Sequence, residues 1–353
     1  MNFASDNWAG ATQQVSRALA GAAGGLQPAY GNDSLTRSVT EIFCRIFEKD
    51  VSVHFTGTGS AANSLALSAY MKPSGVILCH KDSHIFADEC GAPEFLTNGA
   101  KLLPLEGRDT RLDVDNVAEM LARYGPNNSR GGRAVAVSVT QLTESGTTYQ
   151  PAHIAAIGAH ARAAGVGFHM DGARFANALV TLGCTPAEMT WKAGIDVLSF
   201  GATKNGCWCA EAIVFFDKDK ADSFDYFRAR SGHRFSKARF VAAQFLGYFA
   251  DDHWLDTARH ANRMARRLAD GLGNATNGRL AWSADGNEVF AVISRKQAAR
   301  MLANGAMFHE WPVGHESLSQ PLDGDEAVYR LVASFATTET DVDGFLSKLD
   351  EHG

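Results

Sequence analysis

Cysteine is scarce in this chain of 353 residues: six are scattered at positions 44, 79, 90, 184, 207 and 209. Without paired spacing they cannot frame a disulfide scaffold, and the lone C-x-C at Cys207 and Cys209 lacks the second pair of a zinc site. Reduced thiols are therefore expected, and with them a cytoplasmic protein. A basic excess is missing too. The 33 Lys and Arg face 39 Asp and Glu, a formal net charge of -6, which gives no overall pull toward nucleic acid or an anionic membrane. No apolar run reaches the ~18 residues of a membrane span. The opening MNFASDNWAGATQQ has no basic patch ahead of an apolar core, so no secretion signal is expected. Internal repeats and low-complexity tracts are also absent. What remains is ordinary globular composition, 45% hydrophobic and 20% charged. The length suits roughly two domains at about 150 residues each.

The middle of the chain alternates short apolar runs with amphipathic ones, which predicts a mostly parallel sheet covered by helices on both faces. Strand-like runs fall at 51–57, 75–80, 133–142, 166–171, 196–201 and 211–216, with helical patterns at 62–71 and 153–165. After about residue 235, amphipathic stretches at 236–250 and 254–272 precede a strand at 288–294, a helix at 297–305, a strand at 328–335 and a final helix at 341–351. This reads as a smaller α+β domain on a larger α/β one, joined through a helix. The expected division is an N-terminal arm and helix over 1–40, a large α/β domain over 41–240 and a small C-terminal α+β domain over 241–353.

Ligands of open parallel sheets bind beyond the carboxyl ends of the strands. After 51–57 the small-residue turn Thr56-Gly57-Thr58-Gly59-Ser60-Ala61-Ala62-Asn63 opens a helix. It is either a tight strand-to-helix turn or a cup whose backbone N–H groups receive an anion. After 75–80 comes His84, a solvated loop residue or an acid–base group. Asp171 ends the next strand and needs a cationic partner if buried. That partner is either Arg174 or a protonated ligand nitrogen, which would leave Arg174 to grip a carboxylate. His169 lies two residues earlier on the same strand face. Lys204, flanked by glycine and small polar residues after 196–201, is a surface lysine or a desolvated amine able to form a Schiff base.

The order matters more than any one residue. An anion cup, a loop histidine, an aspartate at one strand end and a lysine at a later one match the needs of pyridoxal 5'-phosphate. The sequence resembles the low-specificity L-threonine aldolases, in the β-eliminating lyase branch of the aspartate-aminotransferase-like (fold-type I) pyridoxal phosphate enzymes. The matching segments are Ser5-Asp6-Asn7, Ala29-Tyr30-Gly31-Asn32-Asp33, the 58–63 turn, Ser83-His84-Ile85-Phe86 and His169-Met170-Asp171-Gly172-Ala173-Arg174. The 199–206 stretch around Lys204 and Arg330 in Val328-Tyr329-Arg330-Leu331 also match, so the likeness runs from about residue 3 to 350. Through ECGAPEF (89–95) and FGATKNG (200–206) it looks nearest the phenylserine-aldolase-like members.

The resemblance implies an α/β fold with a large, mostly parallel sheet domain and a smaller C-terminal α+β domain. It implies a pyridoxal-phosphate-dependent aldehyde lyase that cleaves L-threonine, L-allo-threonine or phenylserine-like substrates to glycine and an aldehyde. Another lyase reaction (β-elimination) or transamination on the same fold is the alternative. Lys204 would hold the cofactor covalently, Asp171 would pair with its pyridinium nitrogen, Gly59 and Ser60 would bind its phosphate, and His84 would stack on its ring. Arg174, Arg330 and Ser5 would grip the substrate carboxylate. A dimer or tetramer with sites at its interfaces is implied, with Tyr30 reaching a neighbouring site and Lys237, within 232–239, contacting the neighbour's phosphate. No metal is implied. One departure stands out: where many members carry a second histidine, this chain has Thr140-Gln141-Leu142-Thr143-Glu144-Ser145-Gly146. Its general base is then expected to be His84, a water or Thr143.

Overall fold

A computed structural model describes residues 1–312 and 318–351. Seven strands form one sheet: β1 (Ser52–Thr56), β2 (Gly75–His80), β3 (Lys101–Leu105), β4 (Arg133–Thr140), β5 (Gly167–Gly172), β6 (Val197–Gly201) and β7 (Glu211–Phe215). Their order is β1-β7-β6-β5-β4-β2-β3. The run from β6 through β5, β4 and β2 to β3 is parallel, while β7 is antiparallel to both β1 and β6. The carboxyl ends of β1, β2, β4, β5 and β6 therefore share one edge with the amino end of β7. All six residues of β5 are buried, as a central strand covered on both faces requires.

The expected strands of this region form within a few residues of their predicted bounds. β3 was not expected, because Pro104 interrupts its apolar run. It forms at the sheet edge, where a residue without an N–H leaves no ladder bond unmade. The helix Val114–Arg123 is a second addition, opened by Asp113, whose side chain accepts from the Asn116 N–H.

Four antiparallel strands make a second sheet: β8 (Gly278–Leu280), β9 (Glu288–Ser294), β10 (His309–Glu310) and β11 (Glu326–Val332), in the order β10-β11-β9-β8. The helix His253–Leu272 ties the two sheets together. Its start places Trp254 and Ala258 in the core of the large sheet, and its end places Met264, Leu268 and Leu272 in the core of the small one. The N-terminal segment joins them as well, since Phe3 is fully buried against Phe345 in the second core, with ring centroids 5.3 Å apart.

Rings pack densely behind β6. Phe200 meets Phe43 edge-on at 5.3 Å and Trp254 at 5.9 Å. Such pairs add about 0.5–1.5 kcal/mol each beyond the area they bury. This gives the segment after β6 a rigid floor.

Candidate active site

The shared strand edge opens into a cleft of about 280 Å³ whose wall draws on six different strand ends. From β1 comes the turn Gly57-Thr58-Gly59-Ser60. Thr58 caps the helix Gly59–Ser68, accepting the Ala61 N–H at 3.2 Å. The N–H groups of Gly59 and Ser60 bond no protein group among the described residues, and nothing lies within 4 Å of a Cβ built on Gly59. A helix start with uncommitted donors and open space before it attracts an anion.

Asp171 closes β5 and is buried. Its Oδ1 accepts the Ala173 N–H at 2.9 Å, and its Oδ2 accepts from Asn63 Nδ2 at 2.8 Å. Asn63 Nδ2 spends its other hydrogen on Glu89 Oε1, again at 2.8 Å, and the same oxygen meets His84 Nδ1 at 2.8 Å. The chain Asp171–Asn63–Glu89–His84 fixes the aspartate and the imidazole relative to one another. The hydrogen bond to Glu89, opposed by burial and helped by Asp171, raises the His84 pKa.

Arg174 is not the partner of Asp171. Its Nε and one terminal nitrogen grip Asp6 at 2.8 and 3.0 Å, and its other terminal nitrogen lies 3.3 Å from Glu288 Oε2. Burial works to raise the Asp6 pKa, but Arg174, Lys204 and hydrogen bonds from Arg174 and Asn287 hold it below the ordinary value. Arg330 faces the same Glu288 from the far side at 3.7 Å and stacks over the Trp311 ring at 4.3 Å. Two arginines thus flank one buried carboxylate at the side of the cleft.

Lys204 sits in the helical turn Thr203–Asn205 after β6 and makes no hydrogen bond or salt bridge among the described residues. Its neighbour is held hard: Asn205 Nδ2 donates to the Tyr248 hydroxyl at 2.8 Å and to the Trp254 carbonyl at 2.7 Å. Asn205→Ala would leave the Tyr248 hydroxyl without this donor and take one of two side-chain bonds from the Trp254 carbonyl, and is expected to lower stability by about 1–3 kcal/mol. Thermal unfolding of the purified variant checks this. Gly206 follows at φ 118°, where a side chain would be strained and its Cβ would strike Thr12. Because β7 is reversed, its first residue, Glu211, also reaches the cleft, paired with Gly201 and Thr56. Burial pushes its carboxyl up to about 7, against the pull of Thr203 and Lys204.

The β-eliminating lyase family model matches residues 2–296. The chain belongs to that family. It is a pyridoxal-phosphate-dependent lyase, of the kind that includes the threonine aldolases. It is 41% identical over 307 residues to the low specificity L-threonine aldolase of Pseudomonas aeruginosa, covering 87% of this chain and 88% of that one. The protein of the same description from Pseudomonas sp. is 40% identical over the same shares. Among solved structures, a Leishmania major threonine aldolase superposes with a TM-score of 0.90 at 24% identity, covering 99% and 98% of the two chains. A putative L-allo-threonine aldolase from Listeria monocytogenes gives 0.73 at 16% identity, covering 99% of this chain and 95% of that one.

The residues present suit the family's cofactor: an amine with no hydrogen bond among the described residues, a buried carboxylate held by two donors, and a helix start whose first N–H groups bond no described residue. Among the expected site residues of this lyase, Gly59, Ser60, His84, Asp171, Arg174 and Lys204 all line the cleft. Others lie elsewhere. Ser5 is outside the cleft wall and uses its Oγ to accept the Asn7 N–H at 3.1 Å; Asn7 is the residue that lines the cleft. Arg330 reaches the site only across Glu288. Tyr30 and Lys237 are exposed on the surface, where the Tyr30 N–H bonds the Ser236 carbonyl at 3.0 Å and Arg234 covers the Tyr30 ring. Thr143, offered above as a base, is fully buried among the hydroxyls of Ser145 and Thr147 at 3.1 and 2.8 Å and takes no part in the cleft.

His169 is also accounted for. It bridges Ser138 on β4 and Ser199 on β6 at 2.8 and 2.9 Å, and burial lowers its pKa to about 4, so it stays neutral. Sequence reasoning passed over Asn63, Glu89, Asp6, Glu288, Glu211 and Glu144. Asn63, Asp6 and Glu89 lie in segments that carry the resemblance, and Glu144 lies in the stretch that departs from it.

Proposed function

We propose that this lyase cleaves L-β-hydroxy-α-amino acids such as L-threonine, L-allo-threonine or phenylserine, releasing glycine and an aldehyde. The observation that carries the reading is the convergence of Lys204, Asp171 and the Gly59-Ser60 helix start in one cleft, beside a half-buried arginine pair. Lys204 would hold the cofactor, Asp171 its ring nitrogen, Gly59 and Ser60 its phosphate, and His84 one ring face. Pyridoxal phosphate, when bound, supplies the sink for the electron pair left at Cα as the Cα–Cβ bond breaks. Arg174 and Arg330 would orient the substrate carboxylate. Asp6 fixes the plane of the Arg174 guanidinium, while Arg330 keeps its Nε without a hydrogen bond among the described residues.

Arg330→Ala is expected to raise KM roughly 10- to 100-fold with a smaller change in kcat, the scale of a lost charge-assisted hydrogen bond. Steady-state kinetics on L-threonine measure it, and an unchanged KM moves the carboxylate site elsewhere. The reading as a whole is tested on purified protein by an absorbance scan before and after adding L-threonine, with glycine and acetaldehyde quantified. A keto acid with ammonia in their place would mean β-elimination.

The proposal includes a homo-oligomer in the cytoplasm. Leu26, Tyr30 and Trp208 expose large apolar surface, which supports association of copies. Tyr30 and Lys237 lie away from their own chain's cleft, so each would serve a neighbour's site. Light scattering on the eluted protein reads the number of subunits. No helix among the described residues is long and apolar enough to cross a membrane. The division at residues 40 and 240 belongs to the same proposal.

A further inference from the structure

We propose that Glu144 is the general base that takes the proton from the substrate's β-hydroxyl. The proposal rests on the retro-aldol reading above and names the group that this reading left open.

The cleft offers four candidates besides Asp171: His84, Glu89, Glu211 and Glu144. His84 has its Nδ1 committed to Glu89. Glu89 also keeps an Oε2 with no hydrogen-bond partner among the described residues, but its Oε1 is paired with the His84 imidazole, so it acts through that ring. Glu211 stands at the amino end of β7, beside the β1 turn that would hold the phosphate. Glu144 is on the other flank, after β4, next to the His84 segment. Its Oε1 accepts the His84 N–H at 2.7 Å and the Thr140 hydroxyl at 3.0 Å, which fixes the carboxyl, while its Oε2 is shielded from solvent and has no hydrogen-bond partner among the described residues. That is a positioned carboxylate with one oxygen to spare.

The groups facing Glu144 are His84 from its own helical turn, Asp171 and Arg174 from the end of β5, Cys79 on β2 and Tyr149 further along its own loop. Burial, with a smaller push from Asp171, raises its pKa to about 7, against the hydrogen bonds from His84 and Thr140. A base poised near neutrality suits the transfer. In that step the substrate O–H bond breaks and an O–H bond forms on Glu144. The hydroxyl oxygen becomes the aldehyde carbonyl as the Cα–Cβ bond opens. The proton then passes on to Cα, directly or through solvent, which restores the carboxylate and balances substrate with products.

The test uses holoenzyme and Glu144→Gln. Wild-type cleavage should rise with pH through about 7, and the variant should keep its cofactor absorbance, lose that rising limb and slow roughly 10²- to 10⁴-fold. A cleaving wild type with an unaltered Glu144→Gln profile overturns this proposal alone. Wild-type protein that releases no glycine overturns the retro-aldol reading and this proposal with it. Should Glu144→Gln lose the cofactor, Glu144→Asp decides: a retained limb at reduced rate supports the proposal, and a restored cofactor band without the limb reduces Glu144 to a structural role.

A second readout needs no cofactor. The stability Glu144 contributes is present below its ordinary pKa of 4.5 and lost as pH rises to about 7. The thermal midpoint of cofactor-free wild type should fall relative to Glu144→Gln across that window. Parallel curves would overturn the assignment.

Discussion

Lys204→Ala is expected to abolish turnover, by at least roughly 10⁴-fold, and to remove the cofactor absorbance band that borohydride would otherwise bleach. The expectation is unusually clean because Lys204 makes no hydrogen bond or salt bridge among the described residues. Its removal therefore orphans no protein partner. The helical turn Thr203–Asn205 keeps its anchor through Asn205, which bonds Tyr248 and Trp254. The cofactor-free variant should melt close to wild type, so a lost activity reports chemistry and not folding. Absorbance, borohydride treatment and glycine production on the same preparation measure all of this. Persistence of the band in the variant would place the covalent link on another amine.

Asp171→Asn is expected to lower kcat about 10³-fold and to weaken cofactor binding, the scale of removing one buried electrostatic contact to a reacting group. Two effects act together. The neutral amide cannot keep a ring nitrogen protonated, so the sink for the Cα electron pair is lost. The amide also fits badly: both Asp171 oxygens accept, one from the Ala173 N–H and one from Asn63 Nδ2, and an asparagine must turn a donor toward one of them. About 1–3 kcal/mol of stability should go with it. Kinetics and a cofactor titration followed by fluorescence give the answer, and near-normal kinetics would refute the role.

The contrast between these two residues and their surroundings shows what could be read from the amino acids. Lys204, Asp171 and the Gly59-Ser60 turn were legible because each follows a short apolar strand directly, and a strand end is a local feature. Their partners were not. Asn63 reaches Asp171 across 108 residues and Asp6 reaches Arg174 across 168. Glu144 stood in a segment notable only for lacking a histidine, where Thr143 was the side chain offered as a base. Burial separated them, leaving Thr143 inside a closed cluster of hydroxyls and Glu144 at the cleft with a free oxygen. The Pro104 strand hid for a similar reason, since only its place at the edge makes the proline harmless.

By itself, then, the sequence determined the alternation of strand and helix, the turn that opens the helix Gly59–Ser68, and the presence of an amine and a carboxylate at successive strand ends. These follow from side-chain periodicity and turn chemistry, which act over a few residues. The tertiary structure decided which charges meet. It reversed β7 and so brought Glu211 to the site, gave Arg174 to Asp6 and Glu288 instead of Asp171, and tied His84 to Asp171 through Glu89 and Asn63. It also left Glu144 dry and poised. Desolvation and long-range pairing exist only once the chain has closed on itself, because both depend on what the fold packs around a group.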